Sequence, residues 1–166
     1  MTPSLQDLLR VALIGIGATA VMDLWLWCLK RAGLPGLHMA FIGRWVGHVL
    51  RGTWSHRAIA KATPIEGEVA LGWLTHYAVG VVFAAVLASL QGTAWVHSPS
   101  LLPALCVGLV SVAAPLFIMQ PAMGAGVASR NTATPLKNCL RSVANHAVFG
   151  LGLYLAAVAL EQISRR

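Results

Sequence analysis

Four long apolar runs constrain this chain more than any other feature of its sequence. They cover residues 11–29, 69–90, 101–119 and 143–160. A bilayer core is roughly 30 Å thick and a helix rises about 1.5 Å per residue, so each run is long enough to cross it. Because 57% of the residues are hydrophobic and only 10% are charged, the chain is typical of a membrane protein. The sequence therefore predicts a single domain, residues 1–166, folded as an all-α integral membrane four-helix up-down bundle.

Boundary signals refine this prediction. They place the membrane-spanning helices at about residues 8–30, 68–90, 100–123 and 135–163. Ser4 with Asp7 predicts a capping box at the start of the first helix. Pro115 and Pro121 predict an interrupted third helix. Between the first two spans, residues 38–52 predict an amphipathic helix in the membrane interface, with Arg44, His48 and Arg51 on its outward polar face.

The charge distribution predicts the orientation of the helices. Basic residues concentrate between spans one and two and between spans three and four: Lys30, Arg31, Arg44, Arg51, Arg57, Lys61, Arg130, Lys137 and Arg141. Only Arg10, Arg165 and Arg166 fall on the other side. The positive-inside rule then puts both basic loops in the cytoplasm and both termini outside. The net charge of +7 thus favours a lipid bilayer as partner and no nucleic acid, with Arg44 and Arg51 contacting anionic lipid headgroups.

Polar residues within or beside the apolar runs form the candidate site. Asp23 is the one Asp or Glu within the four runs. An acid within a span either orients the helices through a salt bridge or hydrogen bond or has a function, and function is the default hypothesis. Counting the rise along each helix puts five residues at one level near the cytoplasmic side. These ligand-binding candidates are Asp23, His76, Gln120, Asn145 and His146.

Three functions fit this polar layer. The first is binding or transport of a small ligand or ion, using an acid, two histidines and a proline-interrupted helix. The second is a membrane redox subunit that binds haem b or a transition metal, with metal ligands drawn from His76, His146, Asp23, Met119 and Met123. The third is a structural or accessory subunit in which the layer only holds the helices together. The sequence contains neither an acidic pair with metal-binding spacing nor a nucleophile beside a base, so a non-enzymatic role is favoured.

Two parts of the chain also resemble each other. His76 precedes Gly80 by four residues, as His146 precedes Gly150, and Gly15 and Gly108 occupy matching places in the preceding spans. Glycines at such spacing let helix backbones approach closely. The pattern predicts two related helix pairs, the first with the second span and the third with the fourth.

Four stretches carry a family resemblance: IGIGATAVMDLW, WLTHYAVG, PLFIMQPAMGAG and NHAVFGLGLYLAA. From Leu8 to Ala159 the chain resembles an uncharacterised family of bacterial inner-membrane proteins, catalogued as a domain of unknown function. The resemblance implies a small multi-pass protein of the bacterial inner membrane, whose two termini would then be periplasmic. It implies no activity, cofactor or catalytic residue. A homo-oligomer and a larger membrane complex both stay open.

Overall fold

The computed structural model describes residues 4–34, 36 and 38–165. Helices make up most of the described residues, which contain no β-strand. Helices of membrane-spanning length and composition cover Leu5–Arg31, Glu68–Gln91, Leu101–Ala122 and Pro135–Ser164. The predicted all-α class with four membrane-spanning helices is therefore confirmed.

The helices are numbered in chain order. They are α1 (Leu5–Arg31), α2 (Met39–Val49), α3 (Glu68–Gln91), α4 (Ala94–His97), α5 (Leu101–Ser111), α6 (Gln120–Ala122) and α7 (Pro135–Ser164). The predicted capping box is present at the start of α1: the Ser4 side chain accepts from the Asp7 amide, and the Asp7 carboxylate accepts from the Ser4 amide. These bonds satisfy amide groups that a helix start leaves unpaired, so α1 begins at Leu5. Arg166, which the charge pattern also used, lies outside the described residues.

The hydrogen-bond pattern of the third span changes from α-helical to π-helical near its prolines. A π-helical turn, Ala114–Met119, connects α5 to α6, and the Gln120 amide donates to the Pro115 carbonyl five residues earlier. A proline cannot donate the normal helical bond, and a wider turn keeps the backbone coiled around that defect. The predicted interruption is thus a local change of pitch, and the span ends at Ala122.

Backbone packing divides the chain into two compact units. The first contains Met1–Leu34, Tyr77–Ser111 and Asn145–Arg166, and the second contains Pro35–His76 and Val112–Ala144. The assignment of residues 1–166 to a single domain stays a prediction.

Glycines set the packing of the first unit. A Cβ atom on Gly15 of α1 would lie 2.5 Å from the Val81 Cα and 2.8 Å from the Gly80 carbonyl oxygen of α3. A Cβ on Gly108 of α5 would lie 2.7 Å from the His146 carbonyl oxygen and would also collide with Gly150 of α7. Within each predicted helix pair, α1 with α3 and α5 with α7, the two backbones are therefore in direct contact at these glycines. Between the pairs, the Phe83 and Phe149 rings pack edge to face with centroids 6.4 Å apart.

The second unit also relies on a glycine contact, and here one prediction is wrong. A Cβ on Gly43 of α2 would collide with the Glu68 carbonyl and lie 2.6 Å from the Gly72 amide nitrogen of α3. The glycine side of α2 therefore packs against α3, and the neighbouring Arg44 turns inward with it. Arg44 is only 8% exposed instead of lying on the outward polar face.

The buried Arg44 forms a bidentate ion pair with Glu68. Its Nε donates to Glu68 Oε2 at 2.8 Å and its Nη2 to Glu68 Oε1 at 2.7 Å. Its Nη1 faces three backbone carbonyls, those of Ile59, Ala60 and Ala62. The hydrogen bond to Glu68 raises the pKa of the Arg44 guanidinium above its ordinary value. Arg51 is exposed, so it is the residue that can still serve the predicted headgroup contact.

Candidate functional site

Asp23 lies within the first span, α1, and accepts a hydrogen bond from the second span, α3. The Tyr77 hydroxyl of α3 donates a hydrogen bond of 2.9 Å to Asp23 Oδ2. Both side chains are partly buried. Because hydrocarbon cannot solvate a carboxylate, a donor from the neighbouring helix lowers the cost of keeping this acid in the span.

Asn145 links the last span to the first. The indole Nε1 of Trp25 donates to Asn145 Oδ1 at 3.0 Å. Trp25 follows Asp23 by two residues, which is about 200° around a helix, so the two side chains leave α1 in different directions. In this way α1 holds a polar contact to α3 and another to α7.

His146 of α7 forms a hydrogen bond with Ser111 of α5. The Ser111 hydroxyl donates to the Gly108 carbonyl at 2.6 Å. His146 Nδ1 lies 2.7 Å from the same hydroxyl oxygen. The Ser111 hydroxyl thus lies between the Gly108 carbonyl of its own helix and the imidazole of α7.

The second unit contains the other two predicted site residues. His76 packs edge to face on Trp73, with ring centroids 6.0 Å apart. Gln120 Oε1 accepts a 2.8 Å hydrogen bond from the buried Ser129 hydroxyl. Asp23, Asn145 and His146 belong to the first unit, and the convergence of all five residues in one layer stays a prediction.

The metal ligands proposed from the sequence gain no support from the geometry. Across residues 4–34, 36 and 38–165, no group of three or more His, Cys, Asp or Glu side chains could hold a metal ion. Met119 ends the π-helical turn, and Met123 follows α6, where its carbonyl accepts from the Ile59 amide at 3.0 Å. Haem binding likewise stays a prediction from the sequence alone.

Sequence reasoning missed the partners Tyr77, Trp25 and Ser111. Ser111 had a usable signal, because it lies one helical turn after the contact residue Gly108. Tyr77 had a similar one, lying one turn before Gly80. Each partner choice depends on how two distant segments meet, which hydropathy does not encode.

A second buried arginine was also missed. Arg10, which is 6% exposed, forms a 2.8 Å ion pair with Glu161 and donates to the Val96 carbonyl at 3.3 Å. His97 lies 2.8 Å from both Arg10 Nη1 and Asp7 Oδ1. Arginine only donates and a carboxylate only accepts, so a neutral His97 protonated on Nε2 satisfies both contacts. This network ties α1, α4 and α7 together at one end of the first unit.

The four long apolar helices are those of a multi-pass α-helical membrane protein. The chain belongs to the family described as "Protein of unknown function (DUF2938)", whose model matches residues 12–160. This confirms the predicted resemblance to an uncharacterised family. Searches of curated proteins and of solved structures gave no match.

Proposed function

We propose that this membrane protein binds a small ion in its first unit and moves it across the bilayer, and that the ion is a proton. The observation that carries the proposal is the Asp23 carboxylate, which lies within a span and is hydrogen-bonded to Tyr77. Asp23 is the proton-binding group in this proposal. His146, whose ring bridges α7 to Ser111 of α5, is the second.

The chemistry of the two groups supports a proton more than a larger ligand. An ionisable side chain within a membrane span is costly and therefore rare, and those that occur commonly mark proton relays or ion pathways. Imidazole is the side chain whose ordinary pKa lies nearest to neutral pH, so a histidine is a chemically suitable proton carrier. The hydrogen bond from Tyr77 positions the Asp23 carboxylate, and the hydrogen bond with Ser111 positions the His146 ring.

Proton flux into vesicles tests the proposal directly. The purified protein is placed in liposomes that contain a pH-sensitive dye, and a potassium gradient with valinomycin drives protons inward. We expect proton flux above that of protein-free vesicles. In Asp23→Asn the flux should fall by at least about tenfold, because an amide cannot take up and release a proton as a carboxylate does. Asp7→Asn is the matched control, because it makes the same change on the same helix at the capping box.

Two outcomes would contradict the proposal. Equal flux in the unchanged protein and in Asp23→Asn would remove Asp23 from the path. No flux above protein-free vesicles would favour the structural reading, in which polar contacts between spans only hold the helices together.

We further propose the orientation that the charges favour: basic loops in the cytoplasm, both termini periplasmic, and Arg51 in contact with anionic headgroups. Single cysteines at Ser98 and Thr132 in a cysteine-free background test it. A membrane-impermeant maleimide added to intact cells should label position 98 and spare position 132. Labelling of position 132 alone would show that the orientation is the opposite of the one proposed.

A further inference from the structure

Two histidines of the second unit form a pair outside the predicted polar layer. His48 lies on α2, and His56 lies in the following loop. Their rings meet with centroids 4.8 Å apart and planes inclined at 67°. Neither residue lies within a membrane-spanning helix.

The contacts of His48 leave one nitrogen suited to a ligand. His48 Nε2 lies 2.9 Å from the Thr63 carbonyl oxygen. A carbonyl only accepts, so Nε2 must carry the proton, and in the neutral ring Nδ1 keeps its lone pair. An imidazole that donates to a backbone carbonyl through one nitrogen is the usual arrangement of a metal-binding histidine, because that bond fixes the tautomer and the ring orientation.

His56 presents the stronger anomaly. Both of its ring nitrogens are buried, and neither has a hydrogen-bond partner among the described residues. Burying a polar group without a partner is costly, so native proteins rarely leave one unsatisfied, and a bound ion is one of the few explanations. An ion bound to one of these nitrogens would remove part of that cost.

The backbone around His56 is held firmly enough to position its ring. The His56 amide donates to the Ala122 carbonyl at 2.8 Å, and the Ile59 amide donates to the Met123 carbonyl at 3.0 Å. Gly124, with φ +97°, has no Cβ atom, and one would lie 2.9 Å from the His56 carbonyl oxygen. Main-chain contacts that do not depend on the imidazole thus join the loop to the end of α6 and to the residues that follow it.

The ring separation matches two imidazoles on one ion. A zinc ion lies about 2.0–2.1 Å from a coordinating nitrogen, and hence about 3.2 Å from the ring centroid. Two rings on such an ion have centroids about 5.2 Å apart at a tetrahedral angle and about 4.5 Å apart at a right angle. The observed 4.8 Å falls between them. A linear two-coordinate ion would need about 6.4 Å, so this geometry does not fit linear copper(I).

We propose that His48 and His56 bind a divalent transition-metal ion of the zinc type. The two imidazoles supply the protein ligands, and water completes the coordination. The site links α2 to the loop after it, so the metal stabilises the second unit. It is independent of the proposed proton path, which uses residues of the first unit.

Cobalt(II) is a suitable probe, because its visible absorption reports the geometry of a zinc-type site. The purified, metal-free protein in detergent is titrated with cobalt(II), and bound zinc is measured separately by mass spectrometry. We expect about one equivalent of cobalt(II) per chain with a visible absorption band, and at least about tenfold weaker binding in His48→Gln and in His56→Gln. His38→Gln is the matched control, since His38 is an exposed histidine at the start of the same helix.

Circular dichroism and size-exclusion chromatography identify which variants fold. If His56→Gln does not fold, the decision rests on His48→Gln and on zinc-dependent thermal stability of the unchanged protein. Unchanged cobalt binding in a folded His48 or His56 variant would overturn the proposal. So would absence of both cobalt binding and a zinc-induced rise in melting temperature, which would make the pair an edge-to-face packing contact.

Discussion

The two helix pairs of the first unit pack alike but carry different chemistry. Gly15 of α1 contacts Gly80 of α3, and Gly108 of α5 contacts Gly150 of α7. A buried hydroxyl accompanies each contact: Thr19 donates to the Gly15 carbonyl at 2.8 Å, and Ser111 donates to the Gly108 carbonyl at 2.6 Å. Both hydroxyls satisfy themselves on their own helix while staying small enough for a close approach.

The difference lies in the ionisable groups. Ser111 also contacts an imidazole across the α5 and α7 contact, whereas the α1 and α3 pair has a carboxylate bonded to Tyr77. Close packing requires only small residues at the right spacing, so it leaves neighbouring positions open to any polar group that finds a partner. The packing is therefore repeated in the two pairs, whereas the ionisable groups on which the proposed function depends are not.

Enlarging the contact glycines should have the largest effect and should affect both pairs equally. We expect Gly15→Val and Gly108→Val each to lower the free energy of unfolding by about 2–3 kcal/mol, because the added atoms meet backbone that cannot rotate away. Denaturant titration in detergent micelles measures this. Ala20→Val and Ala85→Val, at exposed positions of α1 and α3, are controls that should change stability little. Tolerance of valine at one glycine alone would show that the two contacts are not equivalent.

The interhelical hydrogen bonds should contribute less. Double-mutant cycles with Tyr77→Phe and Asp23→Ala, and with Ser111→Ala and His146→Ala, should give coupling energies of about 0.5–1.5 kcal/mol in each pair. The expected values are modest because the unfolded chain in a membrane also finds partners for its polar groups. A coupling energy near zero in one cycle would mean that its hydrogen bond does not persist in the folded protein.

The contact between α1 and α7 should have a smaller effect again. Trp25→Phe removes the indole donor to Asn145 but keeps an aromatic ring, so we expect a loss of about 0.5 kcal/mol in unfolding free energy. Thermal unfolding followed by circular dichroism is sensitive enough to rank this variant against Tyr77→Phe. A loss larger than that of the glycine variants would show that this contact, and not the glycine contacts, dominates the packing of the first unit.

Asp23→Asn should have the smallest effect on stability. An asparagine oxygen still accepts the Tyr77 hydrogen bond, so we expect a change within about 0.5 kcal/mol, measured by the same titration. Together with the loss of proton flux proposed above, this result would separate the function of the carboxylate from its structural role. Strong destabilisation with unchanged flux would instead assign Asp23 to packing.

Much of the fold could be predicted from local patterns. The four spans, the Ser4 and Asp7 cap and the disturbance at Pro115 all follow from hydropathy, capping chemistry and the missing amide of proline. These signals act over a few residues, so a sequence displays them directly. The matching glycines of the two helix pairs were predictable for the same reason, since their spacing is a helical periodicity.

Partner choice could be decided only by the tertiary structure. Periodicity put Arg44 on an outward face, but the Gly43 contact with α3 turned it inward to Glu68. Nothing near His56 in the sequence indicates that its ring meets His48, and nothing near Arg10 points to Glu161. The sequence by itself determined which segments enter the membrane, because that depends on the transfer energy of each segment alone. Which polar groups meet depends on how closely distant backbones approach, and only the folded chain decides that.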